Sequence, residues 1–203
     1  VKAANPDIFV STGDLVDGQM DDLENLANML KEIPVNHGKF AITGNHEFYA
    51  GLPRSLDFIK KAGFTILRGD GAAVSEWLNI VGVDDNAGNY YGLARSVSEK
   101  ELLSRFSREK FTLLLKHRPL IDKDAVGFFD LQLSGHAHKG QIFPFSLITR
   151  LSFPTHSGLL NLGKNALLYV NRGSGTWGPP IRFLAPPEVT IIELVHEPAS
   201  KRS

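Results

Sequence analysis

The chain has 203 residues, 42% of them hydrophobic and 22% charged, which is enough to bury one sizeable core and excludes a disordered or fibrous polymer. Its 22 Lys and Arg are matched by 22 Asp and Glu, so no global positive field draws it onto nucleic acid or anionic lipid, and phosphate recognition has to be local. With no cysteine, disulfides, zinc–thiolate sites and cysteine nucleophiles are excluded, and no apolar run approaches the ~18 residues of a spanning helix.

In chain order, Asp7–Thr12 is a β-branched and aromatic run that empties into Gly13-Asp14, and Lys39–Thr43 does the same into Gly44-Asn45. Both read as buried strands. Between them, Leu23, Leu26, Ala27 and Leu30 have helical spacing, which predicts a helix from Met20 to Ile33 closed by Pro34. Further helices are predicted over Leu56–Ala62 and Glu99–Phe106, with strands at Thr65–Leu67, Leu78–Val83, Phe111–Leu115 and Leu131–Ser134. Residues Gln141–Asn165 read as an extended loop or flap, followed by strands at Ala166–Asn171 and Val189–Val195. Alternating strands and helices predict a layered α/β protein, read as a single domain over residues 1–203.

Four predicted strands run into Asp14, Asn45, His117 and His136. In such architectures ligands gather beyond the carboxyl ends of the strands, so one polar residue after each is what a shared site needs. Singly, each residue reads as a turn, a cap or a satisfied polar group. Jointly, with His138 two residues beyond His136, they supply a carboxylate, an amide carbonyl and imidazoles, the types that hold divalent cations. Hydrolysis of a phosphate ester needs hydroxide brought to a centre ringed by negative oxygens, and two cations roughly 3.5–4 Å apart meet that need.

The segments Gly13-Asp-Leu-Val-Asp17, Gly44-Asn-His-Glu47, Lys116-His-Arg-Pro119 and Gly135-His-Ala-His138 resemble the calcineurin-like metallophosphoesterase superfamily over nearly the whole chain. Within it, Gly82-Val-Asp-Asp85, Arg172-Gly-Ser-Gly-Thr176 and Pro180-Ile-Arg182 make the chain most similar to a bacterial membrane-associated phosphodiesterase-like group. The resemblance implies an α/β/β/α metallophosphoesterase sandwich that binds two divalent ions, manganese, zinc or iron. It implies a phosphohydrolase that cleaves a phosphodiester or pyrophosphate bond by attack of a metal-bridging hydroxide. Asp14 would bridge the metals, Asn45, His117 and His136 would complete the second, and His138 would belong to the first. His46, with Asn45 nearby, would act on the phosphoryl group or leaving group. Arg172 and Arg182 are candidate phosphate contacts, since guanidinium binds phosphate bidentately, with an ion pair holding the Gly-rich turn as the other reading.

The superfamily's first motif, an Asp-x-His pair ending its first strand, is absent from this sequence, and residues 1–6 look like the end of the helix that should follow it. The expectation is an N-terminally incomplete domain, which as it stands would hold one ion firmly instead of two, with Asp17 or Asp84 as the first substitutes for the missing ligands. Otherwise Asp17 is expected to cap the helix beginning near Met20, Glu47 to be solvated or to support the ligands, and Asp84 and Asp85 to be loop residues. His37, His156 and His196 are expected at the surface. The apolar content of Ile142–Leu160 is expected to be mostly packed, with a lipid-facing rim as the other reading. The substrate would be a phosphate ester, lipid-linked or nucleotide-linked. The competing function is a non-catalytic scaffold of the same fold that binds protein partners; a nuclease is disfavoured by the neutral charge.

Overall fold

The computed structural model describes residues 1–195 apart from 19 and 22, with only the backbone of residue 146; His196 lies outside the described residues. Strands β1 (Phe9–Ser11), β2 (Lys39–Ala41) and β3 (Thr65–Ile66) form a parallel three-stranded sheet in that order. Strands β4 (Asp70–Ala73), β5 (Leu78–Gly82), β6 (Phe111–Leu115), β7 (Leu131–Ser134), β8 (Gly158–Gly163) and β9 (Ala166–Val170) form the second, in the order β4-β5-β6-β7-β9-β8. Its four inner strands are parallel, while β4 and β8 run antiparallel at the edges.

Alternation along the strands sets the layers, because successive side chains point to opposite faces. Phe40 and Ile42 from the small sheet meet Leu78, Ile80, Leu113, Leu115, Leu131 and Leu133 from the large one, a core between two sheets. Ala41, on the opposite face, packs with Ala27 of α1 (Glu24–Lys31) and with Phe58 and Ile59 of α3 (Leu52–Lys61). Here α2 is the short helix Asn45–Tyr49. On the far side, Val81 and Leu114 meet Leu102 and Leu103 of α5 (Glu99–Leu103), α4 being Ala87–Tyr90. The order is therefore helix, sheet, sheet, helix: an α/β/β/α sandwich.

Several expectations need correction. The helix expected from Met20 begins at Glu24, and Asp17 caps nothing. The expected flap contains α6 (Phe145–Ser152) and β8. Residues 189–195 form no strand, and the apolar side chains of α6 are exposed instead of packed. Propensity and periodicity do not carry the distance to the nearest partner, which decides each of these. Among the described residues no helix is long and apolar enough to cross a membrane.

Candidate metal centre

The carboxyl ends of β1, β2, β6 and β7 deliver Asp14, Asn45, His117 and His136 to one crevice. The loops after β1 and β2 touch: a Cβ on Gly13 would lie 2.4 Å from the Gly44 nitrogen, and one on Gly44 would lie 2.1 Å from Asp14 Oδ1. Only glycine lets both loops approach this closely. Asp14 (φ 55), His136 (φ 65) and His138 (φ 46) all adopt the left-handed conformation. His136 and His138 therefore do not continue β7 as strand residues, although they lie two positions apart. Non-glycine residues rarely stay in that region unless their surroundings hold them, and they concentrate at functional sites.

His117 is the hub. Its side chain is 1% exposed, and its Nδ1–H donates to the Thr12 carbonyl at 2.7 Å. That bond turns Nε2 into the crevice, where Asp14 Oδ2 lies at 3.0 Å, His136 Nδ1 at 3.0 Å and Asn45 Oδ1 at 3.1 Å. All three can accept, and at most one proton sits on Nε2 to share among them. A cluster of lone pairs aimed at one point suits a cation, and Asp14, His117 and His136 can reach a single ion.

The electrostatics agree with that reading. Burial alone would raise the Asp14 carboxyl, but the charge and hydrogen bond of His117 and the backbone N–H of His46 outweigh it and bring it down to about 2. Burial pushes His117 down, yet the Asp14 carboxylate beside it leaves His117 raised overall. Burial, then the charges of His117 and Arg118, lower His136 to about 4, which keeps its imidazole neutral and able to ligate.

His138 stands apart from this cluster. Its Nδ1 accepts from Arg182 Nη2 at 3.0 Å, and burial followed by the Arg182 charge lowers it to about 4. Arg182 also donates to the carbonyls of Gly175, Arg172 and Ala185, and Arg172 pairs with Glu188. Both arginines are engaged within the chain. Asp84 is held by Arg68 at 2.7 Å and accepts from Thr43 and the backbone of Arg95, so it is a structural anchor.

Three residues carry more than their sequence reading assigned. Asp17 accepts from His46 Nδ1 at 2.8 Å, a pair 29 positions apart in the chain that spacing cannot announce. Glu47 is not solvated: it is fully buried and accepts the backbone N–H groups of Asp14, Leu15 and Gly44 at 2.9, 2.7 and 2.6 Å, fastening the β1 loop to the start of α2. Burial, then the Asp14 charge, push its carboxyl up. Its position three residues after Gly44, as the N3 acid of a helix, was the available signal. Arg118, adjacent to His117, is fixed by Asp85 through bonds of 2.8 and 3.2 Å and stays part exposed, with its charge felt at His136.

A family model described as calcineurin-like phosphoesterase matches residues 1–140. An "uncharacterized metallophosphoesterase" of Aquifex aeolicus is 46% identical over 93% of this chain and 73% of its own length. One of Campylobacter jejuni is 36% identical over 96% of this chain and 52% of its own. A Danio rerio protein named "transmembrane protein with metallophosphoesterase domain" is 31% identical over 96% of this chain and 47% of its own. The chain thus spans about three-quarters of the first relative and about half of the other two.

Proposed function

This chain belongs to the calcineurin-like phosphoesterase family, and from that premise we propose that it hydrolyses a phosphodiester or pyrophosphate bond with divalent cations drawn from manganese, zinc and iron, one of them held firmly by the residues present. The observation that carries the reading is the convergence of Asp14, Asn45 and His136 on Nε2 of His117. These four are the proposed ligands of one ion. Asp14, with a second carboxylate oxygen, and His138 would face a second ion, held less firmly because Asp17 and Asp84 are engaged with His46 and Arg68. When bound, such ions ionise water and neutralise phosphoryl oxygens.

The rest of the work falls to the chain. The Asp17 carboxylate accepts from Nδ1 of His46, which turns Nε2 toward the leaving-group oxygen; His46 is the proposed general acid, and in the doubly protonated ring it is the Nε2 proton that passes to that oxygen while the Nδ1 proton stays with Asp17. The backbone N–H of His46 also donates to Asp14 Oδ1 at 3.0 Å, tying the acid to the bridging carboxylate. Asn45 lies between the two roles. Arg118, braced by Asp85, is proposed to face phosphoryl oxygens; Arg182, which donates to His138 and to three backbone carbonyls, and Arg172, which pairs with Glu188, are placed after it. The ester is proposed to be lipid-linked or nucleotide-linked, with the protein acting at a membrane.

Hydrolysis of bis(p-nitrophenyl) phosphate and of a nucleotide pyrophosphate, with manganese, zinc or iron and with metal analysis of the same preparation, tests the reading. We expect turnover that a chelator abolishes and added metal restores. Firmly bound metal with no hydrolysis of either substrate would favour the scaffold.

A further inference from the structure

The rim beyond His136 and His138 carries a feature that hydrolysis does not use. No residue of α6 whose side chain is described is buried. At 3.6 residues per turn, Phe145, Leu147, Ile148 and Leu151 share one arc of the helix, and they are 58%, 60%, 61% and 84% exposed. Arg150, also exposed, lies at the margin of that arc. Phe143, Trp177, Ile181 and Phe183 are exposed beside it. Hydrogen bonds join the two segments: the Phe143 N–H donates to the Phe183 carbonyl, the Phe183 N–H to the Gln141 carbonyl, and the Gln141 amide exchanges bonds with Trp177. A contiguous apolar surface of this kind marks a place where the molecule meets something else.

Charge selects the partner. From Leu131 to Pro187 the sequence contains no Asp or Glu, while Lys139, Arg150, Lys164, Arg172 and Arg182 fall within it, so all 22 acidic residues of an otherwise balanced chain lie outside this stretch. Arg172 and Arg182 are used internally and Lys164 lies at the far turn between β8 and β9, beside Gly127, which leaves Arg150 exposed at the edge of the apolar arc and Lys139 part exposed directly after His138. Apolar side chains flanked by cations, with acids excluded, match an anionic bilayer: acyl chains accept the first and head groups the second.

We propose that α6 and the adjoining segment Trp177–Leu184 form a docking surface for an anionic phospholipid membrane. The surface abuts the candidate centre, because Phe153, directly after α6, lays its ring 5.3 Å from that of His136. Docking sets the crevice at head-group level. The inference concerns where the chain sits and does not rest on its hydrolysing a phosphoester, so binding alone tests it.

The experiment is sedimentation of the purified chain with phosphatidylcholine vesicles, with and without phosphatidylglycerol, at low and high salt, with a chelator present to remove catalysis. The expected result is retention on the anionic vesicles only, weakened by salt, with a blue shift of tryptophan fluorescence that disappears in Trp177→Phe. The combined variant Leu147→Ser, Ile148→Ser, Leu151→Ser alters exposed positions only and should keep its circular dichroism. Losing three anchors at about tenfold each lowers its partition on the order of a thousandfold. Vesicle binding unchanged in that variant, equal binding to neutral vesicles, or no binding at all would overturn the proposal, as would self-association through this face in place of binding.

Discussion

His117 with Asp14 and His46 with Asp17 are the same chemical pair in two settings. The side chains of the first are 1% and 13% exposed, and those of the second 22% and 56%. In the buried pair, His117 gives its Nδ1 proton to a backbone carbonyl and turns Nε2 toward three acceptors. In the open pair, the carboxylate takes Nδ1 and nothing in the described structure competes for the other nitrogen. Burial separates the roles. A desolvated cluster of lone pairs holds a cation because leaving it unfilled is costly, whereas an imidazole open to the crevice can exchange its proton with a substrate and then with water.

The sharpest way to break this contrast is Asp14→Asn. The amide keeps the size of the side chain and removes the charge that both proposed ion positions share. Turnover should become undetectable, and metal analysis should show loss at both positions together. Full turnover with two ions retained would dissolve the distinction between the pairs.

On the open side, His46→Ala should leave metal content unchanged and lower kcat by about 10²–10⁴-fold, the usual worth of a general acid. The loss should shrink for nitrophenolate leaving groups, which need less protonation, and be largest for alkoxides. An equal loss for both removes His46 from the acid role. Asp17→Asn sharpens the same point at smaller size: as a positioning residue it should cost about 10–100-fold, and it should cost almost nothing further once His46 is alanine. Additive losses in that double variant would mean that Asp17 acts on something other than His46.

The buried pair was legible in the sequence and the open pair was not. Phe111-Thr-Leu-Leu-Leu115 and Leu131-Gln-Leu-Ser134 are short leucine-rich runs that empty into Lys116-His117 and Gly135-His136, and they appear as β6 and β7 with those bounds. Ligand-type residues directly after such strands could be gathered on topology alone. Asp17 follows no strand, and its partner is 29 positions away, so its nearness to His46 emerges only when Gly13 and Gly44 let the two loops touch. For Glu47 the sequence left a solvated and a ligand-supporting reading open, because its place as the N3 acid after Gly44 announces the bond to Gly44 but not the N–H groups of Asp14, Leu15 and Val16 that fold back onto it from the β1 loop. The rim was misread for the opposite reason: apolar residues in Ile142–Leu160 predict burial, and α6 leaves them in solvent.

The smallest expected effect concerns the chain stripped of metal, where the neutral imidazoles should make stability depend on pH. His136 and His138 are each lowered to about 4 in the folded chain, from an ordinary value near 6.5. Burial is the first cause in both. Positive charge is the second, from His117 and Arg118 at His136 and from Arg182 at His138. As pH falls below about 6.5, unfolded chains take up these two protons and folded chains do not, so their contribution to stability must fall with pH until about 4. Asp14, lowered to about 2, adds its own loss only below the ordinary carboxylate range. His117 has the opposite sign: its raised value means that its contribution is complete below about 6.5 and is lost as pH rises through the raised value. Between pH 6.5 and 4 the two lowered histidines pull stability down, opposed by Glu47 and Glu99, whose carboxyls burial raises and which take up protons in the folded chain first. Thermal unfolding with chelator present should show the midpoint dropping across that window, with up to two protons taken up per molecule unfolded. His138→Gln should remove one of the two protons and flatten the slope, while leaving the His117 cluster as it is. A slope that His138→Gln leaves unchanged would mean that this imidazole is no more desolvated than those on the surface, and the second ion position would lose its electrostatic support.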